Sequence, residues 1–316
     1  WYNNAKPVTD IAVVYPKAID NLRNDVELRS AVRMLCELKQ QFDVVTLSSD
    51  WSKYQVLIFP DSVIFTGEIA KRVKTHIDAG KPVISTGISG LNTQKTAFEL
   101  EEEWGVEYLG ENDFNPAYLT VRKRFDAGLP GMPLSLYSSG IDVWPLTGTK
   151  VGAWLIKPYQ NRDWDGDYAI VYNPPQKVTD KPALTINDNV AHFSHRIFSG
   201  YFDKASVELR RLFSNVLNML HRAPVLKTEN LPAFARVFVT EQPGRRMVHL
   251  LSYLPEMRGG TQIIEEGIEL SNIKVMLWDE NKTIKKVYLA TEKIELSFKH
   301  VKGYAEVIIP KSRGYS

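Results

Sequence analysis

The sequence predicts an α/β protein, a doubly wound parallel sheet followed by an antiparallel β-sandwich. Two observations carry this. Short, continuous apolar runs at 11–15 (IAVVY), 42–47 (FDVVTL), 55–60 (QVLIFP) and 82–86 (PVIST) alternate with amphipathic segments at 25–40 and 66–79. Runs of that kind separated by helices are expected of parallel strands covered on both faces. After residue 234 the helical period disappears and short strand-like runs follow one another, as a sandwich requires.

Each element has a local reason. In 25–40, Val26, Arg29, Val32, Arg33, Leu35, Cys36 and Leu38 form a stripe at helical spacing. The segment 66–79 ends at Gly80, where a helix C-cap glycine belongs, and Pro82 follows as a stop. From 110 to 182 the pattern loosens into a stretch rich in Pro, Gly, Trp and Tyr, read as irregular. Long irregular segments tend to be functional or contact surfaces. Order returns with a strand at 190–193 (VAHF) and a helix at 205–221, whose buried face is Leu209, Leu212, Phe213, Val216, Leu217 and Leu220. The C-terminal runs ARVFVT, MVHLLSYL, IKVMLW, KKVYLA, IELSF and YAEVIIP are separated by turn residues such as Pro243-Gly244 and Lys302-Gly303. Two domains are therefore expected, 1–224 and 225–316.

Composition narrows the function classes. The 316 residues carry 39 basic and 37 acidic side chains, a formal charge of +2. That balance gives no field to concentrate nucleic acid or an anionic membrane. No apolar run approaches the ~18–20 residues that cross a bilayer, so a soluble protein is expected, its compartment open. The one cysteine, Cys36, can form neither an internal disulfide nor a cysteine metal cluster and reads as a core residue. The start at Trp1 suggests a processed protein or a fragment.

One turn carries a possible nucleophile. The order QVLIFP, helix, then 80–84 (GKPVI) and 87–90 (GISG) resembles class I glutamine amidotransferases, in which the equivalent turn reads G-I-C-x-G and holds the cysteine. Ser89 stands near that position. The family's partner motif, a histidine two residues before a glutamate, is absent from the later region, where His192 and His195 lie in AHFSHR. The resemblance thus implies a flavodoxin-like sheet whose amidotransferase chemistry is lost. A stand-alone enzyme, either a divergent amidotransferase or a serine hydrolase using Ser89, is the rival. Against it, Gly90 follows the serine immediately instead of two residues later, and Ser89 can equally cap a helix after a tight glycine turn.

Two longer stretches resemble parts of bacterial glycoside hydrolases. Residues 61–91 (DSVIFTGEIAKRVKTHIDAGKPVISTGISGL) resemble the β-galactosidase trimerisation domain. VAHFSHRIFSGYF, then RRMVHLLSYLPEMRGG, KKVYLA and GYAEVIIP are similar to the tail of hydrolases related in arrangement to α-fucosidases and β-galactosidases. The resemblance implies a C-terminal accessory and assembly region, a homo-oligomer, and a catalytic (β/α)₈ barrel with its two carboxylates outside this chain.

The stretch 144–168 is the remaining candidate. Trp144, Trp154, Tyr159 and Trp164 offer flat apolar faces, and Asn161, Arg162, Asp163, Asp165 and Asp167 offer polar groups, a mixture that carbohydrate sites use. Packing or a subunit interface is the favoured reading. Sugar binding by Asn161, Arg162 and Trp164 at a subunit boundary, or a carbohydrate-binding module, is the alternative. Asp163 to Asp167 lacks the frame of a calcium loop, and the histidines lack zinc-site spacing, so neither a metal nor a cofactor is expected.

Overall fold

The computed structural model describes residues 3–15, 25–162, 173–290 and 292–316. Strands are numbered along the chain from β1 (Lys6–Pro7) to β22 (Tyr304–Tyr315), and helices from α1 (Val26–Glu37) to α5 (Val207–Leu220). The chain divides into two compact units. One comprises Ile11–Met34 and Val44–Arg222, the other Trp1–Asp10, Leu35–Asp43 and Ala223–Ser316.

The larger unit is organised around a nine-stranded sheet. Strands β2 (Ile11–Val14), β4 (Val56–Phe59), β5 (Val83–Thr86) and β12 (Val190–Phe193) lie side by side and parallel. Strand β3 (Phe42–Val45) flanks β2 in the same sheet. Their continuous apolar sequences fit full burial: every residue of β2, β4, β5 and β12 is inaccessible. Helix α2 (Gly67–Asp78) starts where Thr66 Oγ1 accepts from the Ile69 amide, and buries Ile69, Ala70 and Val73. Beyond β12 the direction alternates. Strands β11 (Pro175–Asn187), β10 (Lys150–Pro158), β7 (Ala117–Val121) and β8 (Leu134–Leu136) follow in antiparallel order. A separate ribbon pairs β6 (Val106–Glu111) with β9 (Ile141–Pro145).

The expectation of a doubly wound, flavodoxin-like or glutamine amidotransferase-like parallel sheet is therefore corrected. The sheet is mixed, and the protein is mostly β. The physical reason lies in the stretch read as irregular. Register breaks run along β10 and β11 and one falls in the β6–β9 ribbon, while prolines stand at the end of β10 (Pro158), at the start of β11 (Pro175) and within β11 (Pro182). Bulges and prolines erase the period-two alternation by which antiparallel strands are recognised. These strands enter as hairpins, whereas a doubly wound sheet needs helical crossovers.

The second unit is built on an antiparallel sheet of seven strands, with two separate two-stranded ribbons, β16 (Glu256–Arg258) with β17 (Thr261–Ile263) and β19 (Val287–Leu289) with β20 (Ile294–Leu296). Its order is β1, β14 (Arg236–Gln242), β15 (Arg245–Ser252), β22, β18 (Glu269–Trp278) and β13 (Leu226–Glu229), with β21 (Phe298–Val301) also on β22. The expected β-sandwich is corrected with the rest of the fold class: the sheet is single and curled. The twelve-residue β22 pairs with β18 along one edge and with β21 and then β15 along the other, so the two prospective layers share one strand. Its core is Leu226, Val237, Val239, Leu250, Ile273 and Val275 with their neighbours.

Within this unit the segment Leu35–Asp43 is fastened by buried polar contacts. The Lys39 ammonium donates to the carbonyls of Pro232, Ala233 and Ala235 at 2.8, 3.2 and 2.7 Å. Gln41 accepts from the Val239 amide and donates to the Val237 carbonyl, at 2.9 and 3.2 Å. Cys36, on the same segment, is half-buried, and burial pushes its thiol above the ordinary range.

Candidate functional site

In sheets containing parallel strands, binding sites form beyond the carboxyl ends of those strands. Here β4 runs into Pro60-Asp61-Ser62, β5 into Gly87-Ile88-Ser89-Gly90, and β12 into Ser194-His195-Arg196 and helix α4 (Ile197–Lys204). The three turns close on one another. Ile88 and Gly90 amides donate to the carbonyls of Asp61 and Val63 at 2.9 and 3.0 Å, and the Gly87 amide donates to Phe193 and His195 carbonyls.

Asp61 is the centre of this closure, and it is 0% exposed. Its Oδ1 accepts from Thr86 Oγ1 at 2.6 Å and from the Phe198 amide at 3.2 Å. Its Oδ2 accepts from the Ser199 amide at 2.6 Å and from Ser199 Oγ at 2.7 Å. The Asp61 amide itself donates to Thr86 Oγ1 at 2.7 Å. Helix α4 has no cap from its own Arg196, so this carboxylate supplies the missing acceptor for the first-turn amides. Burial pushes the Asp61 carboxyl above its ordinary range, against the opposing pull of the Thr86, Ser199 and Phe198 donors. Gly87 is required beside it: its φ is +60°, and a Cβ there would lie 2.6 Å from the Asp61 carbonyl oxygen.

Ser89, the candidate nucleophile, is also 0% exposed, and its Oγ accepts from the Val63 amide at 3.0 Å. The neighbouring histidines bond elsewhere. Nδ1 of His192 lies 2.8 Å from Ser85 Oγ, and Nδ1 of His195 lies 3.1 Å from Ser194 Oγ. Burial pushes both imidazoles down, to about 3 and about 4. Among the described residues no hydrogen bond joins Ser89 to a histidine, the pairing by which a base activates a hydroxyl. The His192 ring packs edge-on against Phe98 with centroids 5.1 Å apart, and the His195 ring fills the space beside Gly140. Chemically, this arrangement holds strand ends together.

The polar and aromatic candidates of 144–168 divide. Asn161 Oδ1 accepts from the Asn115 amide at 3.0 Å and its Nδ2 donates to the Asp113 carbonyl at 2.8 Å; the Arg162 amide donates to the Asn115 carbonyl at 2.5 Å. Both side chains are exposed at the surface of that loop. Trp164, with Asp163, Asp165 and Asp167, lies outside the described residues. Tyr159 is 66% exposed, whereas Trp154 is half-buried under the Arg122 guanidinium, 5.7 Å from its ring. Trp144 stands opposite Glu107 on the β6–β9 ribbon, and it shares the outward face with Leu109. Among the described residues no group of three or more His, Cys, Asp or Glu side chains is placed to hold a metal. No helix among them is long and apolar enough to cross a membrane.

Sequence reasoning missed Asp61, Thr86 and Ser199. The available signal was an aspartate directly after the apolar run of β4, with glycine and hydroxyl residues after β5 and β12.

Comparison with known proteins follows the same outline. Residues 17–105 match the family described as the β-galactosidase trimerisation domain. No curated protein sequence matches the chain. Among solved structures, α-L-fucosidase isoenzyme 2 from Paenibacillus thiaminolyticus is 27% identical with a TM-score of 0.88, over 99% of this chain and 48% of that one. The β-galactosidase from Bacillus circulans sp. alkalophilus is 16% identical with a TM-score of 0.62, over 99% and 41%. The cold-adapted β-galactosidase from Rahnella sp. R3 is 13% identical with a TM-score of 0.60, over 99% and 41%. The chain thus spans about half or less of the length of these enzymes. The resemblance to glycoside hydrolases read from the sequence is upheld, while its amidotransferase-like and flavodoxin-like component is not.

Two outcomes test the closed strand ends. Asp61→Ala strands the Thr86, Ser199 and Phe198 donors without an acceptor, and it should cost about 3–5 kcal/mol, read as a fall in the urea midpoint. The second concerns pH. His76, like His195, is pushed down to about 4, and His192 to about 3, by burial. The unfolded chain protonates these groups near pH 6.5, so their full contribution is present above that value and is lost as pH falls toward their folded values. Each proton steepens the loss by about 1.4 kcal/mol per pH unit inside that window. Asp61 acts with the opposite sign, since its raised value favours the fold at low pH. Urea midpoints measured from pH 7 to pH 4.5 should fall steeply, and His192→Asn should flatten the slope by one proton.

Proposed function

We propose that this chain is an accessory and assembly region of a glycoside hydrolase, forming a homo-oligomer, with the catalytic carboxylates carried by a barrel outside it. The observation that supports this most is the trimerisation-domain match at residues 17–105. The overlay of 99% of the chain on 48% of an α-L-fucosidase adds to it. The packed strand ends agree, because Ser89 and Asp61 are inaccessible and, among the described residues, no histidine bonds to the serine. The division into domains near residue 224 belongs to the same proposal, with the first domain as the assembly element.

The outward face of the β6–β9 ribbon is a surface that assembly would use. Leu109 is 56% exposed and Trp144 is 51% exposed, and both are large apolar groups on one face. A cleft-edge role for the exposed Asn161, Arg162 and Tyr159, with Trp164 beside them in sequence, is a second reading of the same region, in which a carbohydrate is met at a subunit boundary.

The native mass in dilute solution, from light scattering coupled to size exclusion, checks the proposal. A closed oligomer is expected, with Leu109→Asp/Trp144→Asp shifting it toward the monomer while the thermal midpoint holds. A strict monomer at all concentrations would contradict assembly through this chain.

A further inference from the structure

At the end of the larger sheet opposite the closed turns lies a cavity of about 310 Å³ that neither the fold nor the proposed assembly uses. Four pieces of the larger unit line it: the turn after β7, the start of β10, the end of β11 with the turn that follows, and the carboxyl end of α5. Backbone contacts fix these pieces to one another. The Arg122 amide donates to the Gly152 carbonyl of β10 at 2.9 Å. From α5, Asn215 Nδ2 donates to the carbonyls of Phe125 and Ala127 at 2.7 and 3.0 Å. Lys150 and Ile186 stand opposite each other in the β10–β11 ladder.

The floor is apolar, formed by the buried Phe125, Val151 and Ile186. The lining carries four cations, Arg122, Arg124, Lys150 and Arg222, against one carboxylate, Asp188. That local excess is larger than the +2 of the whole chain. Roughly half a negative charge at the carboxyl end of α5 does not cancel it. The Arg122 guanidinium lies over the Trp154 ring, 5.7 Å from its centre. Arg124 and Lys150 are exposed, and among the described residues neither makes an ion pair or a side-chain hydrogen bond.

Arginine presents planar pairs of donors that match the oxygens of a carboxylate, sulfate or phosphate. Apolar walls strengthen such an attraction by keeping water away from it. Small-molecule sites combine these two parts, an apolar bed and a few convergent polar groups. We infer that this cavity binds a small organic anion, a phosphate, sulfate or carboxylate head group carried on a flat apolar body. The head group meets Arg124, Lys150 and Arg222 at the rim, and the body lies on Phe125, Val151 and Ile186. The volume is at the low end for ligand sites, which limits the body to about one ring.

Isothermal titration of the full chain with phenyl phosphate, phenyl sulfate and benzoate tests this. Saturable binding of at least one is expected, weakening with added salt, and the tightest of the three identifies the head group. Phenol, which keeps the ring, and the matching bare anion (phosphate, sulfate or formate), which keeps the charge, should each bind about tenfold or more weakly than that probe. Arg124→Glu/Lys150→Glu should weaken the tightest probe by a similar factor, at an unchanged thermal midpoint. Arg124→Ala, a single change at an exposed side chain, should weaken it by about threefold and locates the site even if the double variant fails to fold. Absence of saturable binding by all three probes up to about 1 mM would overturn the inference. So would equal binding of phenol or of the bare anion, or unchanged affinity in a folded variant.

Discussion

A carboxylate withdrawn from water determines what the larger unit can be. An isolated buried charge is expensive, and it persists only where donors surround it. Asp61 collects donors from the end of β5, through Thr86, and from the start of α4, through Phe198 and Ser199. The carboxylate therefore needs both segments in place, and α4 needs the carboxylate, because Arg196 does not cap it. The same constraint fixes Gly87, since any side chain there collides with the Asp61 backbone. Beyond the parallel strands, where an α/β protein would open a cleft, the turns after β4, β5 and β12 are joined by their own hydrogen bonds. Ser89 lies inside that closure with its hydroxyl on the Val63 amide.

Much of the parallel block was legible because it obeys a simple rule. The apolar runs of β2, β4, β5 and β12 are buried on both faces, and a strand with no solvent side shows an unbroken hydrophobic sequence. Helix α2 was legible from Gly80 and Pro82 beyond its end, and α5 from the stripe of Leu209, Leu212, Phe213, Val216 and Leu217. The antiparallel half was not. Strands β10 and β11 lose register repeatedly, and prolines stand within or at the ends of both, so their sequence reads as loop. A local pattern cannot reveal a partner strand that supplies the missing bonds. The C-terminal strands were recognisable as strands, but whether they form one sheet or two depends on β22, whose two edges are engaged by different partners.

The site was less legible than the fold for a related reason. Asp61 is one aspartate among many, and its role arises from Thr86 and Ser199, the latter 138 positions away. The glycine turn at 87–90 was visible, but the sequence offered two meanings for it, a nucleophile elbow or a tight structural turn. Distances and burial separate the two: the histidines bond to Ser85 and Ser194, and the serine meets a backbone amide. The aromatic stretch shows the reverse case, in which composition suggested a surface. Tyr159, Asn161 and Arg162 do lie at the surface, while Trp154 is turned partly inward beneath Arg122.

The central claim is that the strand ends form a permanent structural closure. Native-state amide hydrogen exchange at Val63, Phe198 and Ser199 tests it most directly. These amides donate to Ser89 Oγ and to the Asp61 carboxylate. A closure predicts that they exchange only through global unfolding of the larger unit, with the same denaturant dependence as the core amides of β4 and β5. Exchange through a low-energy, denaturant-independent local opening would contradict the account, because it would mean that the region around Ser89 admits solvent in the native state and can admit a substrate.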